Sequence, residues 1–311
     1  MADFHQLKVA DVHKETSDCS VVTFEVPDHL KENFKFTQGQ HLTLRKILNG
    51  EDVRRPYSIC SSPIDGQWRV AVKQIPGGLF SNYVNKDLQV GDTLEVMEPT
   101  GNFYVDVHPN DTSKKNYIAF AAGSGITPIL SIIKTHLELE PNSTFKLFFL
   151  NRTAKSIIFK EEIEQLKNKF FQRFHVFYFL TKEQRDIEFL NGRFTTDKME
   201  ILTKRFIDVE DTAHCFICGP KEMIFLIRDE LEEAGLDRTK IHYELFFSGE
   251  SEQADLQIAE ALEQKIEGTD VTIIDGGKEF HFIMEDAYDN LLDGALAAGA
   301  DLPFARKGGV C

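Results

Sequence analysis

The chain has 311 residues, 42% of them hydrophobic and 27% charged, which is the balance of a globular protein with room for two or three domains. Its net charge of −15 argues against nucleic acid or an anionic membrane as partner, because binding phosphates needs clustered Lys and Arg. No window is apolar for long enough to span a bilayer. The start, Met1-Ala2-Asp3-Phe4-His5-Gln6, has neither a basic segment nor an apolar core, so a cytoplasmic location is expected.

The first hundred residues read as short strands punctuated by turns. Residues 20–26 are rich in β-branched side chains and stop at Pro27; residues 40–45 alternate polar and apolar, and 68–73 and 93–97 look alike. Gly39, Asn49-Gly50, Asp65-Gly66, Gly77-Gly78, Gly91-Asp92 and Gly101-Asn102 separate them. Strands at this spacing predict a small antiparallel barrel. Two stretches in it could carry chemistry. Arg55-Pro56-Tyr57-Ser58 offers a cation for a phosphate, a ring for stacking and a hydroxyl for a ring nitrogen, or it is an ordinary turn. Gly77-Gly78-Leu79-Phe80-Ser81 leads into a short helix at Tyr83-Val84. It is either an anion cradle or a turn with Ser81 as N-cap.

From residue 112 the character changes to apolar strands alternating with amphipathic helices. Residues 117–122, 145–150, 175–180 and 214–218 read as strands, and 160–170 and 221–234 as helices. This alternation predicts a doubly wound parallel α/β sheet, with a ligand outside the carboxyl ends of its strands. Gly123-Ser124-Gly125-Ile126-Thr127-Pro128 and Cys218-Gly219-Pro220 both fall at such ends. The first has the strand, glycine turn and helix that present free N–H groups to a phosphate. Among the five cysteines, Cys215 and Cys218 have redox or zinc spacing, but the motif ends an apolar run and has no second pair. A structural or cofactor-lining role is expected for it. The 26 Phe are expected to fill the core. Residues 248–267 are acidic and polar, a linker with a short helix at 254–265. Residues 270–275, Gly276-Gly277 and 278–285 read as a β-hairpin, and 289–298 as a helix.

Taken in order, the four motifs at Arg55, Gly77, Gly123 and Cys218 resemble the ferredoxin–NADP reductase family over residues 1 to about 247. The resemblance implies an FAD-binding β-barrel over 1–109, an NAD(P)-binding α/β domain over 110–247, the linker 248–267, and a partial ferredoxin-like β-grasp segment over 268–311. By that resemblance Arg55 contacts the FAD pyrophosphate, Tyr57 stacks on the isoalloxazine and Ser58 bonds near its reactive nitrogen. Gly77, Gly78 and Ser81 hold the FAD phosphates, with Pro56, Val72, Lys73, Leu79 and Phe80 completing the seat. Gly123, Gly125, Thr127 and Pro128 hold the nicotinamide dinucleotide. Cys218, Gly219 and Pro220 line the nicotinamide pocket, and Glu244 and Phe246 lie near the flavin. Ser58, Cys218 and Glu244 form the expected catalytic set. Flavin links a hydride donor to one-electron acceptors.

Coenzyme choice turns on the ends of the second and third strands. Arg152, Ser156 and Arg185 are candidate 2′-phosphate ligands and no carboxylate ends the second strand, so NADPH is expected, with NADH the alternative. The segment 268–311 looks like the first half of a plant-type ferredoxin domain, whose 2Fe–2S cluster takes cysteines spaced C-x₄-C-x₂-C plus a distant fourth. Cys311 fits the second position and Arg306 stands at the first. A cluster is therefore not expected in this chain, and the electron path is expected to stop at FAD. The order flavin, nucleotide, ferredoxin is similar to the reductases of multicomponent monooxygenases, those of phenylacetyl-CoA epoxidase above all, which implies an oxygenase component as partner. The competing readings are a haemoprotein or nitrate reductase flavodomain and a non-catalytic nucleotide-binding module.

Overall fold

The computed structural model describes residues 4–109, 111–246, 270–275 and 278–283, with 294, 295, 297 and 298. Six strands build the first sheet: β1 (Phe4–Thr16), β2 (Cys19–Glu25), β3 (His41–Leu48), β4 (Glu51–Ser58), β5 (Trp68–Lys73) and β6 (Thr93–Met97). They pair antiparallel in the order β4-β3-β6-β1-β2-β5, and a single bridge between Ile59, just past β4, and Val70 of β5 joins the two ends at one point. The β3–β4 turn is Asn49-Gly50, with φ of 52° and 83°, the two-residue turn whose twist matches the strands. Alternation does the rest: Leu42 and Leu44 of β3 and Val70 and Val72 of β5 point into a dry core with Leu7, Val22 and Val96.

Helix α1 (Leu79–Lys86) closes the barrel with Phe80 and Val84. It starts four residues before Tyr83, so Gly78 is its N-cap and Ser81 lies inside the first turn. Of the two readings of this turn, Ser81 as N-cap is thereby corrected: its Oγ accepts the Ile75 N–H at 3.1 Å, tying the glycine turn to the helix.

The second sheet is β7 (Lys115–Ala122), β8 (Ser143–Asn151), β9 (Phe174–Leu180), β10 (Thr212–Gly219) and β11 (Ile241–Leu245), all parallel, in the order β11-β10-β7-β8-β9. Helices α2 (Ile126–Leu139) and α3 (Lys160–Lys169) bury Ile129, Ile133, Ile163 and Leu166 against one face. Helices α4 (Thr196–Arg205) and α5 (Lys221–Glu233) bury Met199, Leu202, Ile224 and Ile227 against the other. Phe120, Phe148 and Phe177 stack across β7, β8 and β9 at 4.8 and 5.2 Å. The chain winds outward through β8 and β9, then returns to the far side of β7 as β10. The switch point therefore lies between β7 and β10, where a ligand is expected.

Cys215 and Cys218 stand three apart on β10, which sends them to opposite faces: Cys215 joins the core under α4 and α5, Cys218 the core under α2. They cannot share a metal or close a disulfide on this strand.

The two sheets are fastened together. Their shared core runs from Cys19, Val21 and Cys60 to Ile129 and Ile132. Around it, Ser131 Oγ donates to Ser61 O at 2.6 Å, and Lys134 bridges Asp65 (2.5 Å) and Glu162 (2.9 Å). Arg69 pairs with Glu162 at 2.8 Å, and the Phe159 N–H donates to Glu15 Oε1 at 2.8 Å.

At the opposite end of the parallel sheet from the switch point, Glu140 is 2% exposed and accepts from Lys115 (2.8 Å) and Tyr117 (2.9 Å), with His136 Nδ1 at 3.0 Å. Burial alone would raise its carboxyl, but the bonds to His136, Lys115 and Tyr117 outweigh it and hold the pKa down to about 2. A depressed folded-state pKa stabilises above the ordinary value of 4.5, and that stability is lost as pH falls toward 2. Glu140→Gln is expected to destabilise by about 2–3 kcal/mol at neutral pH, with the gap from wild type closing on acidification. Thermal melts at neutral pH and at about pH 3 check this. A loss that stays constant with pH removes the charge from the account.

Strands β12 (Asp270–Asp275) and β13 (Lys278–Ile283) form the expected antiparallel hairpin, ending on the pair Asp275 and Lys278. A Cβ on Gly294 would stand 2.2 Å from the Phe282 ring, so the helical residues near 294 pack directly on that hairpin. The linker 248–267 with its helix, Gly276-Gly277, Arg306 and Cys311 lie outside the described residues. Among the described residues no helix is long and apolar enough to cross a membrane.

Candidate active site

The carboxyl ends of β7 and β10 meet at the switch point. Gly123 turns the chain with φ of 52°, Gly123–Gly125 makes one tight turn, and α2 begins at Ile126 with no side-chain cap. A Cβ on Gly125 would lie 2.3 Å from Cys218 O and 2.7 Å from its carbonyl carbon, so the glycine loop rests on the Cys218 backbone. Gly219 faces Ala122 and Met223 in the same way. Thr127 and Pro128 are buried in the first turn of α2, and the Thr127 hydroxyl donates to Ser124 O at 3.0 Å. Gly123, Gly125, Thr127, Pro128, Cys218, Gly219 and Pro220 are thus one constellation.

The register of β10 with β11 sets Cys218 beside Glu244, and the Phe246 N–H donates to Gly219 O at 3.0 Å just beyond. From the barrel, Ser58 Oγ donates to Glu244 Oε2 at 3.1 Å across 186 residues of sequence. Ser58, Cys218 and Glu244 are therefore gathered where the two sheets face each other. Burial pushes the Glu244 carboxyl up to about 7, with the Ser58 hydrogen bond acting in the opposite direction. Burial, and then the Glu244 carboxylate, push the Cys218 thiol well above its ordinary value, so it is a neutral thiol at pH 7.

On the barrel side, Arg55, Pro56, Tyr57 and Ser58 are the last half of β4. Arg55 Nη1 donates to Arg54 O at 2.6 Å. The Tyr57 ring lies 5.8 Å from Phe80 at 33°, and burial raises its phenol. Gly77 has φ of 76°, and the N-terminus of α1 at Gly78 has no side-chain cap. Val72 and Phe80 are buried in the barrel core, so their part in any cradle is played by backbone. Leu79 is partly exposed at the rim. Lys73 pairs with Asp18 at 3.7 Å, and its Nζ stands 3.8 Å from where a Gly123 Cβ would be, so it bridges the two seats. An uncapped helix start beside a strand end of Arg, Tyr and Ser fits a diphosphate joined to a flat ring. FAD bound there would supply the redox chemistry, and Arg55, Tyr57, Ser58 and the start of α1 are the groups that would hold it.

Arg152, Ser156 and Arg185 stand apart from that centre, at the carboxyl ends of β8 and β9. The Ser156 hydroxyl donates to Thr153 O at 2.8 Å and Arg185 Nη1 to Tyr178 O at 3.1 Å. Two further residues belong here that the motifs did not reveal. Asn151 ends β8 at 5% exposure with neither amide atom hydrogen-bonded. A polar residue closing the apolar run Phe148-Phe149-Leu150 was the signal for it. Glu183 reaches over from the end of β9 to accept the Ala154 N–H at 2.8 Å, so the third strand brings a carboxylate to a loop whose own residues, 151–156, have none.

Residues 6–104 match the oxidoreductase FAD-binding domain family and residues 120–229 the oxidoreductase NAD-binding domain family. Over 311 residues the chain is 39% identical to one of the subunits making up the 1,2-phenylacetyl-CoA epoxidase of Escherichia coli K12, covering 100% of this chain and 85% of that protein. It is 32% identical over 312 residues to the ferredoxin reductase component of the 3-ketosteroid-9-alpha-monooxygenase of Rhodococcus rhodochrous, covering 98% and 83%. The FAD/NAD-binding domain of the Vibrio cholerae nitric oxide dioxygenase shares the fold, with a TM-score of 0.64 at 24% identity over 78% of this chain and 99% of that one. With both cofactor-binding domains matched in order and the whole chain aligned, this protein belongs to the ferredoxin reductase family of FAD- and NAD-binding oxidoreductases.

Proposed function

We propose that the chain is an NADPH-oxidising FAD reductase that takes electrons from NADPH to FAD on the way to the oxygenase component of a multicomponent monooxygenase, of the phenylacetyl-CoA epoxidase kind, in the cytoplasm, with the 2Fe–2S step not expected in this chain. The Ser58–Glu244 hydrogen bond carries this reading, because it joins the ring-binding strand of the barrel to the coenzyme side of the parallel sheet. Ser58 orients, Glu244 holds a proton near neutral pH, and Cys218 lines the junction as a neutral thiol. Arg152 and Ser156, with Arg185 beyond them, support NADPH as the coenzyme. The 39% identity to the epoxidase protein, which runs the full length of the chain, supports the choice of partner.

Anaerobic titration of the FAD-loaded protein tests donor and chemistry together. The flavin absorbance is expected to bleach with NADPH at lower concentration than with NADH, and to recover on adding an artificial one-electron acceptor. A protein that stays yellow with both donors, or that will not take up FAD, is a nucleotide-binding module and not a reductase.

A further inference from the structure

Glu183 is placed by backbone, not by chance. The β8–β9 pairing continues past both strands: the Thr181 N–H donates to Asn151 O at 3.0 Å and the Lys182 N–H to Arg152 O at 2.8 Å. The next residue is therefore held beside the loop that follows β8, where Glu183 Oε2 accepts the Ala154 N–H at 2.8 Å. That N–H lies in sequence between Arg152 and Ser156. Ser156 folds back onto the same turn, accepting the Thr153 N–H at 3.0 Å. Next to this turn the buried Asn151 amide has no partner for either of its polar atoms. The end of β8 thus sets the buried Asn151 amide beside an N–H already taken by the protein's own anion.

We infer that Glu183 is a specificity-determining residue, whose carboxylate competes with the coenzyme 2′-phosphate for the loop between Arg152 and Ser156. The inference rests on the reading that this loop receives the 2′-phosphate. One N–H cannot serve two anions, and a phosphate ester brings nearly two negative charges beside the carboxylate. The unphosphorylated coenzyme brings a hydroxyl, which can donate to a carboxylate and meets no such repulsion. Glu183 therefore weakens NADPH and spares NADH, and keeps both donors in use.

Calorimetric titration of the FAD-loaded full chain with adenosine 2′,5′-bisphosphate and with 5′-AMP reads this without turnover. Glu183→Gln is expected to tighten the bisphosphate about tenfold at low salt and to leave 5′-AMP within about twofold. The gain should shrink at high ionic strength, as a charge effect must and a packing effect would not. Glu183→Asp keeps the charge and is expected to retain wild-type selectivity. If Glu183→Gln leaves the affinity ratio unchanged while Arg152→Ala weakens the bisphosphate, the competition is wrong and the NADPH reading stands. If Arg152→Ala and Ser156→Ala leave the bisphosphate unaffected, the NADPH reading itself fails and takes the inference with it. Weakened 5′-AMP in Glu183→Gln makes Glu183 a ribose ligand and also overturns the competition.

Discussion

Replacing Gly125 with alanine is expected to slow flavin reduction by NADPH at least about a hundredfold, the usual consequence of moving a bound group by about 1 Å. The reason is contact, not backbone freedom. Gly125 has φ of −60°, which alanine adopts without strain. Its new methyl, however, would sit 2.3 Å from Cys218 O and 2.7 Å from the carbonyl carbon. Those atoms belong to the end of a central strand and cannot swing aside as a side-chain tip can. Either the glycine loop lifts off β10 or the end of β10 shifts, and each displaces Cys218 from Glu244. Overpacking of this kind costs about 2–3 kcal/mol of stability. Two neighbours set the scale. Gly219→Ala meets the flexible end methyl of Met223 at 2.6 Å and the fixed Ala122 Cβ only at 3.0 Å, and should cost less. Gly77→Ala has open space and pays only for its φ of 76°, about 1 kcal/mol. Stopped-flow reduction at matched FAD content, with a thermal melt of each variant, gives the ranking. A Gly125→Ala rate close to wild type would mean that the loop does not seat the coenzyme.

The sequence announced the parallel sheet more plainly than the barrel, for a physical reason. Strands β7, β8 and β10 are covered on both faces and carry the apolar runs 117–122, 147–150 and 215–218, and the glycine turn after β7 stands out against them. Strand β4, Glu51-Asp52-Val53-Arg54-Arg55-Pro56-Tyr57-Ser58, is polar because it pairs fully on one side only, and that open edge tolerates Pro56. Strand β1 loses its alternation at two register shifts, after Val9 and after Lys14. Helix α4 has only Met199 and Leu202 buried, too few to mark a face, and β11 is a five-residue edge strand. The site divides the same way. Glycine and proline motifs are local and were legible. Ser58 with Glu244, or Glu183 with Ala154, depends on how distant strands align, and family resemblance supplied the first of these but not the second.

Glu244 is expected to make flavin reduction pH-dependent with a midpoint near its shifted pKa of about 7. Below that value its carboxyl holds a proton and adds no negative charge beside Ser58 and Cys218 as the site takes up electrons. Above it the carboxylate is present and opposes them, so the rate should fall as pH rises through the midpoint. Glu244→Gln carries no charge at any pH, so it is expected to abolish the transition and to hold the rate near the wild-type value at low pH. Ser58→Ala has a distinct signature. The Ser58 hydrogen bond favours the carboxylate, so its loss leaves burial unopposed and moves the midpoint upward. Stability gives an independent sign. A raised folded-state carboxyl pKa costs stability as pH climbs from 4.5 through about 7, so Glu244→Gln should melt higher than wild type above neutral pH. Other nearby groups cannot imitate this. Burial puts the Cys218 thiol well above neutral, and burial first, then His242, pushes His214 down to about 4. A transition near pH 7 that survives in Glu244→Gln would therefore assign the proton to the coenzyme or flavin and leave Glu244 a packing residue.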